Sequence, residues 1–265
     1  MLDKQVLAKR RITMEQLKIS NLKKSFGDKE VVKGISFTVN KGEIIGFLGA
    51  NGAGKSTSIR MITEIEDRDD GEIYYCGKPI KQHSKEYLQA IGVVPQEIAL
   101  YMDMSAYNNV AFFCSLYGYD KKEQKKRVEE ALRFVGLWEH RKEKPNSFSG
   151  GMQRRLNIAC SISHSPQILI MDEPTVGIDP QSRNYIMESI KELNRRGTSI
   201  IYVSHYMEEV EQLCSRIILL DHGIIIEDTS KENLKSKYQK MGLNTLEDIF
   251  LHITGKELRD GGECK

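Results

Sequence analysis

Residues Gly49–Ser56 read GANGAGKS, and no other stretch restricts the fold of this chain as much. They match the pattern G-x-x-x-x-G-K-[ST], with an apolar run (IIGFL) before them and a helix-forming segment (SIRMIT) after them. A loop of this composition between a strand and a helix is built to hold phosphate. Gly49, Gly52 and Gly54 let the backbone turn tightly and aim N–H groups inward. The helix beginning at Lys55 adds the positive end of its dipole. Lys55 supplies a full charge for the terminal phosphates, and Ser56 offers a hydroxyl to Mg²⁺. Ala50, Asn51, Ala53 and Thr57 complete the expected nucleotide-binding segment. GTP enzymes usually carry Asn-Lys-x-Asp after such a loop. The nearest match here, Asn40-Lys41-Gly42-Glu43, precedes the loop and reads as a turn between strands.

The rest of the chain supplies a sheet for the loop to sit on. LKISNL, VVKGISFTV, IIGFL and EIYYCGKPI are short apolar runs set between turn signals, and they predict strands. IGVVPQ predicts a strand ending at Pro95. QILIMDEP and TSIIYVSH are continuous apolar runs that end in polar residues, as central strands of a parallel sheet do when both faces are covered. RNYIMESIKELNRR and YMEEVEQLC predict the helices between and after them, and RIILLDHGIIIED predicts a hairpin turning at Asp221–Gly223. Over about residues 97–165 the period becomes helical, with AYNNVAFFCSLYG and EEALRFVGLW as two helices of an inserted subdomain. LEDIFLHITGKEL predicts a C-terminal helix. The expected fold is α/β, a phosphate-loop NTPase core with a β-rich N-terminal lobe and an inserted helical subdomain. Its expected division is an N-terminal extension at 1–13, an ATPase domain at 14–230 and a helical tail at 231–265.

Polar residues at the ends of the predicted strands are the candidates for chemistry. Asp172 and Glu173 follow ILIM, at the sheet edge where such folds bind ligands. Asp172 is expected to hold Mg²⁺ through water, and Glu173 to orient and polarise an attacking water as general base. Gln96 follows IGVVP, and His205 follows SIIYVS. Taken alone, each is more often a structural polar residue. Together with a phosphate loop they can meet at the γ-phosphate, the glutamine sensing metal and water and the histidine donating a hydrogen bond.

Composition narrows the function classes. A net charge of +2 gives no electrostatic case for nucleic acid. The basic run at Lys121, Lys122, Lys125, Lys126 and Arg127 is interrupted by Glu123, Glu129 and Glu130, and reads as a solvated helix face. The five cysteines lack a Cys-x-x-Cys pair, which disfavours zinc and fits reduced thiols in the cytosol. No run approaches the about 18 apolar residues of a membrane span, and the first residues lack a secretory apolar core.

The phosphate loop, Gln96, SGGMQ (149–153), ILIMDEP (168–174), GID (177–179) and His205 occur in this order. That series resembles the nucleotide-binding subunit of ABC transporters over residues 17–228. The decisive element is SFSGGMQRRL, because other phosphate-loop enzymes lack it. The resemblance implies that Ser149, Gly150, Gly151 and Met152 complete the ATP site of a second ATPase subunit, in a homodimer or heterodimer. Asp179 lies in the segment that communicates across that dimer, and Phe26 matches the aromatic position that stacks on adenine. Gln96 joins Ser56 and Asp172 as a Mg²⁺ ligand. The usual signature is Leu-Ser-Gly-Gly-Gln, whereas this chain has Phe148 and Met152 at its ends, with the serine and both glycines kept. FSGGMQRRL, EPTVGIDPQSR and EDIFLHITG resemble ATPases of drug and antibiotic exporters, whose membrane subunits are separate chains. The implied location is the inner face of the cell membrane, peripheral and on the cytoplasmic side. A permease contact is expected near residues 97–117, where Tyr101, Met102, Met104, Tyr107, Phe112, Phe113 and Tyr117 either face a partner or form the subdomain's own core. The alternatives are an importer or lipid-transport ATPase, or a soluble ABC ATPase acting on ribosomes or DNA. A single cassette and a short interval between Gln96 and the signature disfavour the soluble types.

Overall fold

The structure, a computed structural model, describes residues 14–255. The expected extension at 1–13 and the end of the tail lie outside the described residues. In chain order, β1 (Glu15–Phe26), β2 (Lys29–Asn40), β3 (Ile44–Gly49) and α1 (Lys55–Ile62) lead to β4 (Asp70–Tyr75), β5 (Lys78–Pro79), α2 (Ile80–Ala90) and β6 (Ile91–Val94). The helices α3 (Ala106–Ser115), α4 (Lys121–Phe134) and α5 (Gly150–Ile162) follow, with a single 3₁₀ turn at Pro145–Ser147 before α5. The chain then runs through β7 (Ile168–Asp172), α6 (Pro180–Arg195), β8 (Ser199–Val203), α7 (Met207–Leu213), β9 (Arg216–Asp221), β10 (Ile224–Ser230), α8 (Lys231–Gln239) and α9 (Leu246–Thr254).

Two sheets carry these strands. One is antiparallel, in the order β2-β1-β4-β5; the other is β10-β9-β3-β8-β7-β6. Within the larger sheet β9, β3, β8, β7 and β6 are mutually parallel, and β10 pairs antiparallel at the edge. Every residue of β3 and β8 is buried, which accounts for their continuous apolar sequences. The period of two then divides each strand between two cores. Ile45, Phe47, Ile170, Ile201 and Val203 pack toward the smaller sheet and α1. Leu48, Leu169, Met171, Ile200 and Tyr202 face the helices on the other side.

The helices α3, α4 and α5 fall inside the 97–165 stretch that helical period marks. Their buried residues Val110, Leu132 and Leu156 join the same apolar cluster as Leu169 and Met171. The aromatic stretch divides by face. Ala106, Val110 and Cys114 are buried in α3, whereas Tyr101, Phe112 and Leu116 are exposed. The helix expected through Gly118 stops at Ser115, and the helix expected through Leu258 is described to Thr254. One helix has no forecast in the sequence. α2 buries only Ile80, Tyr87 and Ala90 and is kinked at His83, so its apolar period is weak.

Behind α5, His164 is 5% exposed and stacks on Tyr117, with ring centroids 3.8 Å apart. Its Nε2 lies 2.8 Å from the Ile91 carbonyl, so it donates there, while the buried Nδ1 has no hydrogen-bond partner. Burial, and secondarily the charge of Arg127, pulls its pKa from the ordinary 6.5 to about 4. The unfolded chain therefore binds more protons between those two values. The stability contributed by neutral His164 is complete above pH 6.5 and is lost as pH falls toward 4. Between pH about 7 and about 4.5, wild type should lose about 2.5 kcal/mol more than His164→Gln, measured by denaturant unfolding at both pH values.

Candidate functional site

Local geometry at the end of β3 leaves backbone donors free. Gly54, the residue before α1, has φ +100°, and a Cβ there would stand 2.9 Å from the Val31 carbonyl oxygen. No side chain caps α1, so its first N–H groups are available to an anion. The loop is braced from the β9–β10 turn, where Gly223 N–H donates to the Ala53 carbonyl at 3.0 Å. Lys55 folds over its own loop, and its Nζ donates to the carbonyls of Gly49 (2.7 Å) and Ala50 (3.1 Å). Burial lowers the Lys55 pKa, opposed by the negative charges of Glu173 and Asp172. Burial raises the Asp172 pKa, helped by Glu173 and opposed by Lys55. These three groups form one partly desolvated charge cluster.

The parallel strands deliver the other candidates to the same edge. Glu173 follows β7 in a left-handed conformation (φ +48°), and its N–H donates to the Val203 carbonyl at 2.9 Å. Two side chains meet its carboxylate from either side. Gln96 Nε2 donates to Glu173 Oε2 at 3.0 Å, and His205 Nδ1 lies 3.2 Å from Oε1. The Glu173 side chain is 16% exposed against 51% for His205, so the pair straddles the edge of the protein. A cleft of about 450 Å³ joins the pieces, lined by Asn51, Gly52, Gly54, Lys55, Ser56, Thr57, Gln96, Asp172 and Glu173. Phe26 is about half-exposed at the end of β1, with the Lys24 ammonium 5.3 Å from its ring centre. It pairs in register with Lys29, which lines the cleft.

A family model described as "ABC transporter" matches residues 32–176, which hold the loop, Gln96, the SGGMQ segment and the acidic pair. The chain belongs to the ABC transporter family. It is 52% identical over 239 residues to the linearmycin resistance ATP-binding protein LnrL of Bacillus subtilis (strain 168), an alignment covering 90% of this chain and 75% of that one. It is 42% identical over 205 residues to the Nod factor export ATP-binding protein I of Rhizobium sp. (strain N33), covering 77% and 67%. Among solved structures it resembles a dimeric ATP-binding cassette in a post-hydrolysis state bound to ADP and Pi. That likeness has TM-score 0.72 and 27% identity and covers 81% of this chain and 98% of the other. This chain is thus an ATP-binding and ATP-hydrolysing subunit of an ABC transporter. Among the described residues no helix is long and apolar enough to cross a membrane.

The ABC signature does not line the cleft of its own chain. Ser149 caps α5, its hydroxyl accepting from Met152 N–H at 3.2 Å. Gly151 lies against the start of α6, where a Cβ would fall 2.1 Å from Ser182 Oγ. Asp179 caps α6 by accepting from Ser182 N–H at 2.9 Å. That bond, followed by the Ser182 hydroxyl, holds the Asp179 pKa below its ordinary value. Four further residues belong to this site without an obvious signal. Lys29, Lys33 and His222 line the cleft, though in the sequence they read as strand-face and turn polars. Arg154, 4% exposed on the signature helix, donates to the carbonyls of Pro95 (2.7 Å) and Gln96 (2.5 Å). The signature helix and the Gln96 loop are therefore tied within one chain.

The two signature glycines should respond differently to a methyl group. Gly151→Ala is expected to lower unfolding free energy by about 1–3 kcal/mol through its clash with Ser182. Gly150→Ala, with nothing within 4 Å of its Cβ position, should stay within about 0.5 kcal/mol of wild type in the same denaturant titration.

Proposed function

We propose that this chain powers export of a drug, antibiotic or similarly hydrophobic compound through separate membrane subunits, working as a dimer of ATPase subunits. The observation that carries the catalytic part is the meeting of Gln96 and His205 on the Glu173 carboxylate, at the rim of the phosphate-loop cleft. The names of the relatives, linearmycin resistance and Nod factor export, support the cargo class.

ATP would set its phosphates against the loop N–H groups and Lys55, with Phe26 beside the base and Ala50, Asn51, Gly52, Ala53 and Thr57 completing the cradle. Glu173 takes the proton of the attacking water. Gln96 and His205 orient the carboxylate, and His205 donates to the transferring phosphoryl group. The protein offers hard oxygen ligands in Ser56, Gln96 and Asp172, and among the described residues no cluster of three or more His, Cys, Asp or Glu forms a metal cage. These oxygen ligands would suit Mg²⁺, a hard cation that proteins bind through few side chains. The ion would neutralise charge on the phosphates. Ser149, Gly150, Gly151 and Met152 would close over the nucleotide of the second subunit, with Asp179 at the shared face. Closure then depends on the γ-phosphate, which both subunits bind.

The permease would dock in an apolar groove of about 870 Å³ between α2 and the helices α3 and α5, lined by Ile65, Leu88, Phe113, Leu116 and Tyr117 among others. Ile65 and Leu116, 65% and 67% exposed, lie in the same groove and so form part of one apolar patch. The chain would therefore work at the cytoplasmic face of a membrane, held there by its partner.

Three measurements address this reading. Glu173→Gln should keep ATP affinity and an ATP-bound dimer while phosphate release falls about 100-fold or more; near-normal turnover would remove Glu173 from the base role. Ser149→Arg should block ATP-driven dimerisation in size-exclusion chromatography, and undiminished hydrolysis would count against the shared site. For docking, Leu116→Arg should leave ATP binding and stability within about 0.5 kcal/mol of wild type yet abolish co-purification with the detergent-solubilised permease. Retained co-purification would move the contact elsewhere.

A further inference from the structure

A carboxylate with no place in the cleft sits just behind it. Glu209, on α7, is 2% exposed and accepts hydrogen bonds from four side chains on three segments of the chain. Its Oε2 accepts from Thr175 Oγ1 (2.8 Å), Tyr202 Oη (2.5 Å) and Ser204 Oγ (3.3 Å). Its Oε1 accepts from Arg183 Nε at 2.5 Å. A buried carboxylate persists only when its charge is paired and its lone pairs are used, and all of that is met here. Burial, then the charge of Glu209 itself, keeps the Tyr202 hydroxyl protonated and a donor.

The donors are placed at telling positions. Thr175 lies two residues after Glu173, which has a left-handed backbone and is held to Val203 by one hydrogen bond. Ser204 immediately precedes His205. Its hydroxyl also accepts from Tyr206 N–H at 3.0 Å, so one group fixes the backbone on both sides of the histidine. The Tyr206 ring packs 4.3 Å from the His205 ring, and the Arg183 guanidinium lies over Tyr206 at 4.9 Å. Arg183 is four residues into the Asp179-capped start of α6 and bonds back to the Asp179 carbonyl. One carboxylate thus ties the segments bearing Glu173, His205 and Asp179.

We propose that Glu209 is a positioning residue for hydrolysis, holding Glu173 and His205 in register with each other and with the Asp179 segment. This rests on the proposed catalytic roles of Glu173 and His205. Loss of the charge leaves Arg183 unpaired and forces an amide donor among four existing donors. The two catalytic segments are then free to shift, while the phosphate loop, which Glu209 does not touch, is unaffected.

The test uses the full chain and compares Glu209→Gln, His205→Ala and the double variant. Each is assayed for ATP affinity without turnover and for kcat with radiolabelled ATP. Glu209→Gln should bind ATP within about twofold of wild type and lose about tenfold or more in kcat, the scale of a lost hydrogen bond to a charged group. In the double variant its effect should shrink, because the part exerted on His205 is already lost and only the part exerted on Glu173 through Thr175 remains. Unchanged kcat, or a Glu209→Gln loss that is the same with and without His205, overturns the proposal; the second outcome marks a purely structural role. Should Glu209→Gln fail to fold, Ser204→Ala removes the tether beside His205 alone, and the same pair of outcomes decides. Glu173→Gln, measured alongside, separates the two readings. Its normal turnover would overturn the catalytic assignment and this inference with it. An impaired Glu173→Gln beside a normal Glu209→Gln would overturn this inference alone.

Discussion

A parallel sheet covered on both faces imposes one constraint on everything built around it: polar side chains can emerge only at its edges. In this protein β3, β6, β7 and β8 run the same way and are apolar along almost their whole length. Their first polar residues therefore appear together at the carboxyl ends. The phosphate loop follows β3, Gln96 follows β6, Asp172 and Glu173 end β7, and His205 follows β8. Residues separated by more than a hundred positions converge because the backbone pairing that aligns the strands also aligns their ends.

Convergence alone would bring charges together at a cost, and the local chemistry offsets it. Lys55 counters Asp172 and Glu173, and the pKa values of Lys55 and Asp172 respond to the neighbouring charges as well as to burial. The loops carrying these groups are themselves tied down by buried polar side chains. Arg154 holds the carbonyls of Pro95 and Gln96, and Glu209 gathers Thr175, Ser204 and Arg183. Such networks are costly when incomplete and rigid when satisfied, which suits a site whose working parts lie on loops.

Much of the site was legible because its residues occupy fixed offsets from signals that local physics makes visible. GANGAGKS is readable from its glycines and lysine, and the acidic pair from the apolar run before it. Phe26, the Ser149–Met152 segment and Asp179 had no such local warrant and rested on resemblance. Arg154 and Glu209 were not legible. Each looks like one more charged residue on a helix, and its partners are set by the fold: distant carbonyls for Arg154, and for Glu209 hydroxyls of two other segments and the Arg183 guanidinium. The helix α2 escaped for a different reason, since three buried residues and a kink leave too little period to detect.

The aromatic stretch after Gln96 shows where the two kinds of information part. Its sequence is apolar and helical on any reading, and no period tells a helix face that meets its own core from one that meets another protein. Packing divides the stretch: Val110 and Cys114 turn into the core shared with the sheet, while Phe113, Leu116 and Tyr117 open on the groove. By itself the sequence determined the phosphate loop, the strands around it and hence the α/β class, because those depend on residues adjacent in the chain. Only the tertiary structure decided that Gln96 and His205 reach the same carboxylate and that the signature stands apart from its own cleft. Those relations exist between strand ends and helix caps, and the sheet's hydrogen bonding, rather than any local propensity, sets the distances between them.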